Sequence, residues 1–138
     1  MADFKKLRVW RHAHALALNV AKVARKITNA DYSSLRRQMI RSALSVSANI
    51  VEGREKDTEP EFARFLEIAK GSVSELEEHL ITARDLDLIS AADFHSVNDQ
   101  LVNVRKMLSG LLTRLRRSIE SKRKRRKPPP GAREAGSD

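Results

Sequence analysis

Apolar residues recur at steps of three and four along most of the chain, and nowhere do they alternate at the period of two that marks a strand. The first stripe is Val9, Ala13, Leu16, Val20, Val23 and Ile27, flanked by Trp10 and Ala17. It predicts a helix over about residues 7–28 that buries this side. Residues 29–33 then supply turn and cap chemistry. A second helix, over about residues 34–56, carries Met39, Ala43, Val46 and Ile50 on one stripe, with Ile40, Leu44 and Val51 beside it. That apolar arc is wider than a single seam requires, which places this helix at the centre of a bundle or against another chain.

The third helix has the clearest start. Thr58-Glu59-Pro60-Glu61 has capping-box spacing, with proline in the first turn, where its missing N–H costs little. Phe62, Leu66, Ala69, Val73, Leu76, Leu80 and Ala83 follow at alternating steps of four and three. After a turn over residues 85–90, Ser90 is placed as an N-cap and Asp93 favours the start of a fourth helix. Its seam is Phe94, Val97, Leu101, Val104, Leu108, Leu111 and Leu115, broadened by Met107, Leu112 and Ile119. Four such helices with short connections predict an all-α fold, an antiparallel up-down-up-down four-helix bundle. The expected bundle spans residues 1–120, and 121–138 form a basic segment followed by a Pro/Gly-containing disordered tail.

One stripe of the second helix is polar. Gln38, Ser42, Ser45, Asn49 and Glu52 follow steps of four, three, four and three. Short polar side chains at this spacing let another helix approach closely. Ser42, Ser45, Asn49 and Glu52 are therefore expected to form a hydrogen-bonded structural seam, within a subunit or between subunits, rather than an active site.

Composition alters this picture mainly through charge. The chain has 138 residues, enough for one domain with a substantial core, and its formal net charge is +9. Residues 114–138 hold ten Lys or Arg against three acids, which leaves seventeen basic and fifteen acidic residues in 1–113. The body is nearly balanced and the C-terminal part is not. Arg114, Arg116, Arg117, Lys122, Arg123, Lys124, Arg125, Arg126 and Lys127 form the candidate nucleic-acid-binding tract. That tract contains no aromatic residue, which favours phosphate contact over base stacking. Arg36, Arg37 and Arg41 offer a weaker second patch.

Other chemistry is sparsely represented. With no cysteine there is neither a disulfide framework nor a thiolate metal site. Glu75 and His79 share a helical face but have no second copy, so no metal or cofactor is expected. Gly53 and Gly71 sit on helices rather than in a phosphate-cradling loop, and no nucleophile motif is present, so catalysis is not expected. No apolar run is long enough for a membrane span, and the expected location is the cytoplasm.

Three blocks carry a resemblance: FKKLRVWRHAHALAL, SVSANIVEG and FARFLEIAKGSVSELEEHL. Together, over about residues 4–115, they resemble the small four-helix-bundle proteins encoded by intervening sequences within bacterial 23S ribosomal RNA genes. Ser47 stands where that family often has Pro, and Val51 where it often has Ala. The resemblance implies a homopentameric ring. It also implies kinship with the accessory variability protein of diversity-generating retroelements, whose basic surface engages nucleic acid and a reverse transcriptase. The functional expectation is a non-catalytic homo-oligomer that binds RNA or DNA through its basic segment. The competing expectation is a protein-interaction scaffold, for example for a reverse transcriptase, with a solubilising tail.

Overall fold

The computed structural model describes residues 3–126, and every regular element among them is helical. The four helices are α1 (Arg8–Ala24), α2 (Ser33–Arg54), α3 (Glu59–Asp85) and α4 (Ala91–Arg126), with short 3₁₀ turns at Phe4–Lys6 and Ala30–Tyr32. Lys127 of the basic tract and the expected tail beyond it lie outside the described residues.

Helix ends follow local chemistry. α1 stops at Ala24, earlier than its apolar stripe suggests, because the Lys26 and Ile27 N–H groups bond the Val23 and Ala24 carbonyls three residues back. This tighter turn still buries Ile27. α3 begins as its spacing predicts, with the Glu61 N–H donating to Thr58 Oγ1 at 3.3 Å, and Ser90 Oγ accepts from the Asp93 N–H at 3.0 Å. Between them α3 closes in a Schellman arrangement. Leu88 N–H bonds the Ala83 carbonyl and Asp87 N–H bonds that of Arg84, while Asp87 takes φ 59°, a position usually filled by glycine.

All four helices contribute to one core. Every residue of the α1 stripe, the Met39 stripe of α2 and the α3 stripe is buried. On α4 the seam shifts by one position near its end, where Leu112 is fully buried and Leu111 only partly. The steps thus run four then three from Leu108 through Leu112 to Leu115, a shift that Leu111 and Leu112 being adjacent leucines conceals in the sequence. α2 packs against α1 and α3, and α4 against α3 and α1. α2 and α3 approach closely at Gly53, where a Cβ would stand 2.8 Å from Phe65 Cβ and 2.9 Å from Phe62 Cδ1. α4, at 36 residues or about 54 Å, is the longest helix. It continues past the expected bundle boundary at residue 120 to Arg126. No described helix is long and apolar enough to cross a membrane.

Candidate nucleic-acid interface

The basic tract occupies the C-terminal third of α4, and its cations differ in what they touch. Ahead of the tract on the same helix, Arg105 grips Glu77 of α3 with two hydrogen bonds of 2.9 and 3.2 Å. Arg116 pairs with Glu67 of α3. Lys122 Nζ lies 2.7 Å from Glu59 Oε1, and Ser118 Oγ donates to the same carboxylate at 2.9 and 3.0 Å. Those contacts, Lys122 first and then Ser118, hold the Glu59 carboxyl below the usual carboxylate range. Arg123 pairs with Glu120 one turn back, and the hydrogen bond to that carboxylate raises its pKa further.

Three of the candidate cations, Arg116, Lys122 and Arg123, are thus neutralised within the chain. Arg114, Arg117, Lys124, Arg125 and Arg126 have no hydrogen-bond or ion-pair partner among the described residues, and all are exposed. For Arg114, Arg117 and Lys124 the division follows helix geometry, whereas Arg126 falls on the side of Lys122 and Arg123. Positions 106, 110, 114, 117, 121 and 124 follow steps of four, four, three, four and three, so they share one face. Lys106, Arg114, Arg117 and Lys124 stand on this face, while the α3-paired Arg105 and Arg116 stand off it. Sequence reasoning found the tract but missed Lys106, which lies outside the dense charge run.

Of the second basic patch, Arg37 is exposed with no hydrogen-bond or ion-pair partner among the described residues, while Arg36 and Arg41 are engaged within the chain. Arg36 Nη1 donates to the Ile27 carbonyl at 3.0 Å, and Arg41 donates to Gln38 at 2.8 Å with Glu75 at 4.0 Å. Glu75 also lies 3.6 Å from His79 Nε2.

The polar stripe of α2 divides as well. Ser45 Oγ and Ser72 Oγ of α3 share a hydrogen bond of 2.8 Å, and Asn49 Nδ2 donates to the Ser45 carbonyl and hydroxyl at 2.8 and 3.1 Å. Ser42 is buried but bonds back to the Gln38 and Met39 carbonyls of its own helix. Glu52 is exposed and takes no part in this network.

A four-helix, all-α chain whose last helix ends in a basic run is the class these features define. The chain belongs to the 23S rRNA-intervening sequence protein family, whose family model matches residues 5–110. Its fold is similar to the crystal structure of a protein of unknown function from the S23 ribosomal protein family of Bacteroides thetaiotaomicron. The TM-score is 0.71 at 22% identity, covering 75% of this chain and 97% of that one. No match is found among the curated proteins. The family match ends at residue 110, before the basic tract begins at Arg114.

Proposed function

We propose that the protein is a non-catalytic homo-oligomer that binds nucleic acid electrostatically through the exposed face of α4. The observation that carries this reading is the unequal neutralisation of α4: the acids of α3 cover Arg105, Arg116 and Lys122, whereas Arg114, Arg117 and Lys124 face solvent unpaired among the described residues. Cations without internal partners are the ones available to displace counterions from phosphates.

In this reading the bundle is an antiparallel up-down-up-down scaffold. The falling order of the α3 partners, Glu77, Glu67 and Glu59, as α4 rises through Arg105, Arg116 and Lys122, supports it. Copies assemble as a homopentameric ring through the outer side of α2. Leu44 there is 54% exposed, a large apolar side chain left in water on the helix whose apolar arc is widest. A ring multiplies the basic faces, and linked binding events raise avidity well above that of one copy.

An electrophoretic shift with single-stranded RNA, duplex RNA and duplex DNA tests the reading. The intact chain retards at least one of them at moderate salt, and a chain ending at residue 120 does so more weakly. Equal retardation by both forms would overturn the role of the basic segment.

A further inference from the structure

Where the start of α1 meets α4, a cleft of about 260 Å³ is lined by the cations Arg8, Lys106 and Arg114 and by an apolar set, Leu7, Val9, Met107 and Leu111, taken here as its floor. None of the three cations has an ion-pair or hydrogen-bond partner among the described residues. No carboxylate lines the cleft, and the first turn of α1 contains no acid that could compete for them. Gly110 forms part of the wall. A Cβ built there would meet only Arg114 Nη1, at 3.7 Å, so the absent side chain leaves the notch open.

We propose that this notch seats one unpaired nucleotide of a single-stranded nucleic acid, its phosphate on Arg8 and Arg114 and its base against Met107 and Leu111. The proposal rests on the nucleic-acid reading above and specifies its substrate class. Two features select a single strand. The cleft is smaller than the roughly 300–1,000 Å³ typical of small-molecule sites, which suits one nucleotide base rather than a whole cofactor. The apolar floor is useful only to a ligand whose bases are free to leave the stack, which those of a duplex are not. The notch also opens onto the α4 face that continues through Arg117 to Lys124. From Lys106 to Lys124 that face runs about 27 Å, a track for the following phosphates.

The test is fluorescence anisotropy of a labelled, unstructured twelve-nucleotide RNA against the full-length chain over a range of salt. The variant Arg8→Gln/Lys106→Gln/Arg114→Gln is compared with a charge-matched control, Lys22→Gln/Arg25→Gln/Lys70→Gln, and thermal melts confirm that both are folded. The notch variant lowers the slope of log K against log salt by about 1.4, for one phosphate shared by Arg8 and Arg114 and one on Lys106, and weakens binding about twenty-five-fold at 0.1 M salt. The control changes the slope by less than about 0.7, the value of one contact. Gly110→Asp, which places a carboxylate beside Arg114, weakens single-strand binding more than duplex binding. Steep salt-dependent binding that the notch and control variants reduce equally would overturn the notch and leave the broader reading standing. So would a Gly110→Asp effect equal on single strand and duplex. A wild-type chain with no salt-dependent binding would overturn both. Poly-glutamate that binds as tightly as the RNA, and is lost with the same three cations, would replace the nucleotide by an acidic peptide and overturn the proposal.

Discussion

Ser45 Oγ and Ser72 Oγ lie 2.8 Å apart, joining α2 to α3 at a point where both helices present small side chains. Ser72 is buried and Ser45 partly so, which makes each hydroxyl costly to leave unpaired. Ser45→Ala and Ser72→Ala should each lower unfolding free energy by about 1 kcal/mol. The double variant should cost less than their sum, because neither helix then presents an orphaned hydroxyl to the other. Denaturant unfolding of the four proteins in the cycle checks this, and strict additivity would mean that the two hydroxyls are not coupled. Asn49→Leu, which removes two donated bonds to Ser45, should also reduce stability.

Gly53 and Gly71 both sit within helices, yet substitution should have opposite effects. At Gly53 a methyl group would meet Phe65 Cβ at 2.8 Å and the Phe62 carbonyl at 3.3 Å, so Gly53→Ala should destabilise by about 1–3 kcal/mol through overpacking. At Gly71 nothing stands within 4 Å, and Gly71→Ala should stabilise by roughly 0.5–1 kcal/mol through helix propensity alone. Thermal melts that ranked the two variants in the reverse order would contradict the α2–α3 packing.

The Glu59 carboxylate ties α4 to the start of α3 through Lys122 and Ser118, and its pKa is lowered by those bonds. A depressed folded-state pKa contributes stability above the unfolded carboxylate pKa, and that contribution is lost as pH falls through the folded value. The tie should therefore be intact near neutrality and open only in the acid range. Resonances of Ser118 and Lys122 followed from about pH 7 to about pH 3 should shift with a midpoint below that of a free glutamate. In Glu59→Gln that transition should disappear.

Leu44 should be needed for assembly and not for folding, since its side chain is mostly in water while Ala43 and Val46 beside it are fully buried. Leu44→Glu should keep its helical circular dichroism and lose oligomeric mass by light scattering. An unchanged oligomer would move the interface elsewhere, and an oligomer-free wild type would remove the ring.

Periodicity made the helices legible because burial and spacing coincide: Phe62 through Ala83 on α3 form one buried line. It was less informative where neighbours are chemically alike, as at Leu111 and Leu112, and where a 3₁₀ turn replaces an α turn, as after Ala24. The polar stripe of α2 was visible as a pattern, but its spacing could not show that Ser45 reaches Ser72 while Glu52 faces water. The basic tract was visible as composition alone. Which of its cations remain free depends on the register of α4 against Glu59, Glu67 and Glu77, and that register is set by the packing of core residues such as Leu108, Leu112 and Leu115 against α3, whose acids lie 28 to 63 residues away in sequence from their partners. For the same reason Lys106 and Arg8, distant from the tract and from each other along the chain, could be joined to it only in three dimensions.

The central claim is that unpaired cations, not total charge, make the contact with nucleic acid. The most direct measurement is the salt dependence of binding a single-stranded RNA by two equally discharged full-length variants. One carries Arg114→Gln, Arg117→Gln and Lys124→Gln; the other carries Arg116→Gln, Lys122→Gln and Arg123→Gln. The account predicts that the first loses about 2 from the slope of log K against log salt, while the second, whose cations are already held by Glu67, Glu59 and Glu120, loses less than half as much. Equal losses, or a larger loss in the second variant, would contradict it.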